Sequence, residues 1–167
     1  MRILGLCVVL VAALALVGCI DPKDRRPGLW LSGEVVTAPV TDWSFTDGQN
    51  EIFLETRTWY GIRHSVTVVC AAHDGALYVP SLYYGGGEFP EKRHWHRNVA
   101  RDPRVRLEIG GRLYERRAVL VTDPKEWNDV LAAFAQKMPF WKELAEKPES
   151  ERPKLIFMRM DAPADAT

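Results

Sequence analysis

From residue 51 onward, apolar and polar residues alternate with a period of two in several short runs, as half-buried strands require. In EIFLETRT, Glu51 to Thr58, one side carries Ile52, Leu54 and Thr56 and the other Phe53, Glu55 and Arg57. HSVTVVCAAHDGALYVPS reads as a hairpin turned tightly at Asp74-Gly75. RVRLEI sends Val105, Leu107 and Ile109 one way, and Gly110-Gly111 then turns the chain into RLYERRAVLVTD. The alternation in that return strand slips phase near Arg116-Arg117, which predicts a bulge. KLIFMRM supplies a last strand.

Two stretches follow a helical period instead. The first spans about Pro90 to Arg101 and stops before Asp102-Pro103, because a residue preceding proline avoids helical geometry. The second opens on Asp123, Pro124 and Glu126, a cap, a first-turn proline and a capping-box acid. Trp127, Val130, Leu131 and Phe134 then form one apolar stripe. KELAEKPESERPK reads as a solvated loop or helix end. Short strands, hairpins and two helices predict a mainly β fold, a closed or partly closed barrel with helices against it.

The first residues follow another logic. Arg2 precedes the apolar run ILGLCVVLVAALALV, Ile3 to Val17, which reads as a secretory signal and is short for a membrane span. It ends in LVGC, which resembles the lipobox of bacterial lipoproteins. That resemblance implies a signal peptide over 1–18, lipidation of Cys19 and attachment to the bacterial envelope, on the outer membrane in a Gram-negative cell since Ile20 follows. DPKDRRPG then reads as a tether over 19–28, and the folded domain is expected over 29–167. Cys70 is left as the one cysteine of the mature domain besides Cys19, and it reads as a small buried hydrophobe.

Composition narrows the function. The chain has 167 residues, 47% hydrophobic, with 22 basic and 22 acidic residues. That is enough for one domain with a core, and the balanced charge argues against a nucleic-acid partner. The densest chemistry lies in YYGGGEFPEKRHWHRNVARDP, where three glycines precede Pro90 and a basic helix. Such a loop can bring main-chain amides to an anion.

In their order, TRTWYGIRHSV, the hairpin VVCAAHDGALYVPS, the segment GGGEFPEKRHWHRNVARDPRV and the closing RPKLIFMRM resemble the split β-barrel flavoprotein superfamily. The deazaflavin-dependent nitroreductase branch is most similar, with the pyridoxamine-phosphate-oxidase branch next. The resemblance implies a homodimer with flavin at its interface. It nominates Arg63, Ser65, Ser81, Gly85, Gly86, Gly87, Lys92, Trp95 and Asn98 for cofactor binding, and no catalytic residue is assigned. Trp59 and Tyr60 stand where that branch has a lysine and a serine. The cofactor expected is FMN, with deazaflavin F420 or none as alternatives. The activity implied is reduction of a small quinone or nitro acceptor, and the competing expectation is a cofactor-free envelope module that binds a ligand or a protein.

Other features weigh less. His94 and His96 lie two apart and project to different helix faces, so a shared metal is not expected, and haem remains a lesser reading. Arg93 and Arg97 read as the wet face of the helix, with Tyr83, Tyr84 or Trp95 available to cover a ring. No G-x-S-x-G signature is present.

Overall fold

The structure is a computed structural model that describes Gly28 and residues 30–163. The expected signal peptide, Cys19 and the tether up to residue 27 lie outside the described residues. Gly28 itself exchanges two backbone hydrogen bonds of 3.1 Å with Ser65.

The elements are β1 (Glu34–Val35), β2 (Glu51–Arg57), β3 (Arg63–Val69), β4 (Ala71–His73), β5 (Ala76–Tyr83), α1 (His94–Arg101), β6 (Arg104–Ile109), β7 (Arg112–Leu120), α2 (Pro124–Lys137), α3 (Pro139–Glu146) and β8 (Lys154–Asp161). Seven strands run β3-β2-β6-β7-β8-β5-β4 in antiparallel order, and β1 joins the start of β7 in parallel. The sheet curls so that β3 approaches β5 without pairing to it. This is a split β-barrel, open along one seam.

Two apolar cores result from the alternation of side chains. Ile52, Leu54, Leu77, Val79, Leu107 and Met158 fill the barrel interior. Tyr78 and Phe157, which alternate with them, pack outward under Val130, Leu131 and Phe134 of α2 and Trp141 of α3. Both glycine-bearing hairpin turns take the left-handed geometry that the strand twist demands, at Asp74-Gly75 (φ 47° and 72°) and Gly110-Gly111 (φ 60° and 81°).

Three expectations change. The predicted bulge is absent: β7 pairs in unbroken register with β6 from Arg104↔Arg117 to Ile109↔Arg112, and with β8 from Arg117↔Asp161 to Leu120↔Met158. The phase slip arises because Arg116 takes an inward slot between Tyr114 and Ala118, where its guanidinium lies 4.8 Å over the Trp43 ring. The first helix begins at His94 rather than near Pro90, since Lys92 at φ 62° and Arg93 in an extended conformation break any helical run before it. A third helix, beyond the two expected, ends in the charged stretch read as a loop or helix end: Trp141 and Leu144, three apart, are buried and α3 packs on α2. The second helix begins as expected, with Asp123 accepting the Glu126 amide at 2.7 Å.

Candidate functional site

Two recesses flank β3, and they differ in chemistry. The larger, about 540 Å³, opens at the seam between β3 and β5. Val66–Val69 form one wall and Pro80–Leu82 the other, with Tyr84, Arg93, Trp95, Phe140 and Trp141 around them. Its volume suits a drug-sized ligand, and its apolar rings with a few polar groups fit the usual make-up of such sites. The hydroxyl of Thr67 is buried there with no hydrogen-bond partner. An unpaired buried hydroxyl costs roughly 1–3 kcal/mol, so a wall that keeps one is suited to a polar ligand atom. Arg93 is fixed by donating through Nη2 to the carbonyl oxygen of Leu82 at 3.1 Å.

The smaller recess, about 160 Å³, is lined by Arg57, Arg63, Arg104, Arg106, Glu55, Asp102 and Glu115. Its charge is mostly spent internally. Arg63 Nη1 contacts the Glu55 carboxylate at 3.1 Å, Arg104 forks onto Asp102, and Arg106 donates to Glu115. Glu55 is only 4% exposed because the N-terminal arm crosses it, the amide of Leu31 donating to its Oε2. Asp102 is held below the usual carboxylate range chiefly by its hydrogen bond from Arg104.

The nominated residues are divided between these places. Ser81 and Trp95 reach the aromatic recess. Arg63 lies in the charged one, and neither recess holds both Arg63 and the glycine loop. Ser65 is buried beneath Gly28 and lines neither. Asn98 is a tie inside the fold, donating from Nδ2 to Thr56 Oγ1 at 3.0 Å and fastening α1 to β2. Gly85, Gly86 and Gly87 all have left-handed φ (70°, 80° and 110°), and a Cβ at either of the first two would meet open space. Lys92 turns back to this loop: its Nζ donates to Gly85 O at 3.1 Å, and its stem fills the place of a Gly87 Cβ. Trp59 and Tyr60 stand clear of both recesses.

Behind the aromatic recess sits a buried pair. His96 Nδ1 and the Tyr83 hydroxyl are 2.7 Å apart, and the Trp95 and His96 ring centroids 4.0 Å. Burial, helped by the Arg93 guanidinium, holds the His96 imidazole down to about 4, so it is neutral at pH 7. Burial also pushes the Tyr83 phenol up. His94 is exposed, as expected for its face of the helix. Cys70 is fully buried and its thiol is pushed up by burial, which leaves it a packing residue.

Arg93, Thr67, Phe140 and Trp141 were missed by the sequence pattern. Arg93 is exposed, as its reading on the wet face of the helix implied, but its contact with Leu82 depends on the helix starting at His94, which the sequence placed earlier. The other three belong to a strand and a helix that meet only through the fold. Period alone could at best have flagged the polar Thr67 amid valines.

The sequence model of the family "F420H(2)-dependent quinone reductase" matches residues 43–149. Among solved structures, Rv2991 of Mycobacterium tuberculosis, a conserved hypothetical protein, is 19% identical with a TM-score of 0.52, covering 71% of this chain and 76% of that one. HutZ, the haem storage protein of Vibrio cholerae, is 14% identical with a TM-score of 0.51, covering 72% and 86%. A structure described as a domain-swapped dimer is 17% identical with a TM-score of 0.50, covering 66% and 80%. At these identities the likeness is one of fold. No curated protein matches the chain.

Proposed function

Since the chain belongs to the F420H(2)-dependent quinone reductase family, we propose that it is an envelope reductase that seats a flavin-type ring in the aromatic recess and reduces a small quinone or nitro acceptor. The observation that carries this reading is the unpartnered Thr67 hydroxyl on the wall of a ring-lined recess. The residues present fit such a group. Trp95, Tyr84, Phe140 and Trp141 offer apolar faces to a planar ring and keep water from it. Thr67 and Ser81 put polar residues on the two facing walls, and Arg93 places a fixed positive charge beside them. Gly85 and Gly86, in the same loop as Tyr84, carry no side chain and a Cβ there would meet open space, so the backbone can be approached closely by an anionic tail. The bound cofactor supplies the hydride, and the protein supplies placement and electrostatics.

The family description favours reduced deazaflavin as the ring, and FMN is the competing ligand. The chain acts as a homodimer, with the second copy closing the open seam, and it is held to the envelope through lipid on Cys19. Titration of the purified protein with F420 and with FMN, followed by absorbance and by quinone reduction, tests the reading. Saturable binding of either with turnover supports it. A protein that binds neither returns it to the second reading, a cofactor-free binding module on the same recess. The engagement of Arg63 by Glu55 favours that second reading, because it removes one expected phosphate ligand.

A further inference from the structure

The tip of the β2–β3 hairpin reverses the usual rule that loop tips are polar. Trp59 is 80% exposed, Tyr60 57% and Ile62 52%, three large apolar residues in four positions. The tip is also built rather than loose. The Thr58 amide donates to Ile62 O at 2.9 Å, the Thr58 hydroxyl donates to the same oxygen at 2.6 Å, and the Gly61 amide donates to Thr58 O at 3.1 Å. Gly61 takes φ 85°, which the turn needs, and Trp59 and Tyr60 meet edge to face at 5.2 Å. Rings with one polar atom each, held outward on a stiff turn, suit the boundary between lipid headgroups and acyl chains.

Charge and chain path agree with this. Arg57 and Arg63 face each other across the base of the hairpin, and Arg101 donates to the Arg57 carbonyl. Glu55 engages Arg63, so the base keeps an excess of positive charge for anionic headgroups. Gly28, where the described chain begins, is paired to Ser65 near the start of β3, three residues past Ile62 of the tip. The nine residues from Cys19 to Gly28 span at most about 30 Å even when fully extended, so an attachment at Cys19 would be tied within that reach of β3 and its hairpin.

We propose that the Trp59–Ile62 tip is a membrane-seating surface whose rings enter the interfacial layer of an anionic bilayer while Arg57 and Arg101 meet its headgroups. The inference rests on the envelope placement proposed above but not on acylation of Cys19. Two contacts, tail and tip, fix the orientation of the barrel, as a single tether does not. A membrane-dissolved acceptor would then meet a domain held in one pose.

The test mixes the full chain with vesicles of phosphatidylcholine and phosphatidylglycerol whose phosphatidylcholine carries brominated acyl chains. Tryptophan emission should be quenched, and Trp59→Phe should remove most of that quenching while binding persists. Trp59→Ser with Tyr60→Ser should lower the vesicle partition coefficient about tenfold, with the circular dichroism unchanged. Arg57→Gln should weaken binding to the mixed vesicles and leave binding to pure phosphatidylcholine unaltered. Equal partition of wild type and the double variant overturns the proposal. So does a double variant that loses only self-association, which assigns the tip to a second copy. Cys19→Ser separates the two readings: an unacylated chain whose Trp59 is still quenched keeps this surface and tests the anchor independently by the mass of the N-terminal peptide.

Discussion

The recesses on either side of β3 each hold arginine, yet they are opposite in kind. In the charged recess Arg63, Arg104 and Arg106 already have carboxylate partners, and the space that remains is about 160 Å³. In the aromatic recess Arg93 is fixed by a neutral carbonyl, Thr67 has a hydroxyl to spare, and about 540 Å³ is open. The number of cations does not mark a ligand site. What marks it is polar capacity that the fold leaves unused, set among surfaces that gain by being covered.

The sharpest way to break the comparison is acid. His96 lies behind the aromatic recess, facing Tyr83 and Arg93 and away from the carboxylate pairs. Its folded value is near 4 against 6.5 when free. The unfolded chain therefore binds more protons between these values. Stability is whole above pH 6.5 and is lost as pH falls toward 4, by about 3 kcal/mol for this group. Denaturant midpoints from pH 7 to pH 4 should show that fall, and His96→Phe should flatten it. Unchanged slopes would mean the pair is not buried as described.

A smaller loss should come from the charged side. Glu55→Ala leaves the Leu31 amide and the Arg63 guanidinium without their acceptor. A cost of about 2 kcal/mol is expected, moderated because Arg63 is partly solvated. Chemical denaturation measures it, while ring binding should stay near its wild-type value. Smaller still, Thr67→Val should be neutral or slightly stabilising in the free protein, since it removes an unpaired hydroxyl. The same change should weaken ring binding about threefold, which isothermal titration can read. If Thr67→Val destabilises the free protein instead, the hydroxyl has a partner and the recess loses its main credential.

Much of this architecture was legible in the chain. The alternation in β2 and β6, the turns at Asp74-Gly75 and Gly110-Gly111, and the cap at Asp123 are local signals, and they appear in the structure as expected. Arg116 misled because its inward position depends on Trp43, a residue far away in sequence that stacks against it. The site was half legible for the same reason. Ser81 and Trp95 reach the recess, and the glycine loop has the geometry its composition predicts. Arg63 was nominated through the resemblance, but Glu55 on the neighbouring strand is already beside it, a pairing that only register reveals. Arg93 was passed over because Lys92, with its left-handed backbone, delays the helix and turns the arginine toward Leu82.

The central claim is that ring binding belongs to the aromatic recess and not to the charged one. Titrating F420 and FMN into Arg93→Ala and Arg63→Ala, side by side with wild type, tests it most directly. The account predicts about a tenfold loss of affinity for Arg93→Ala and a change below about threefold for Arg63→Ala. A large loss in Arg63→Ala with Arg93→Ala unaffected would contradict it and move the site across β3.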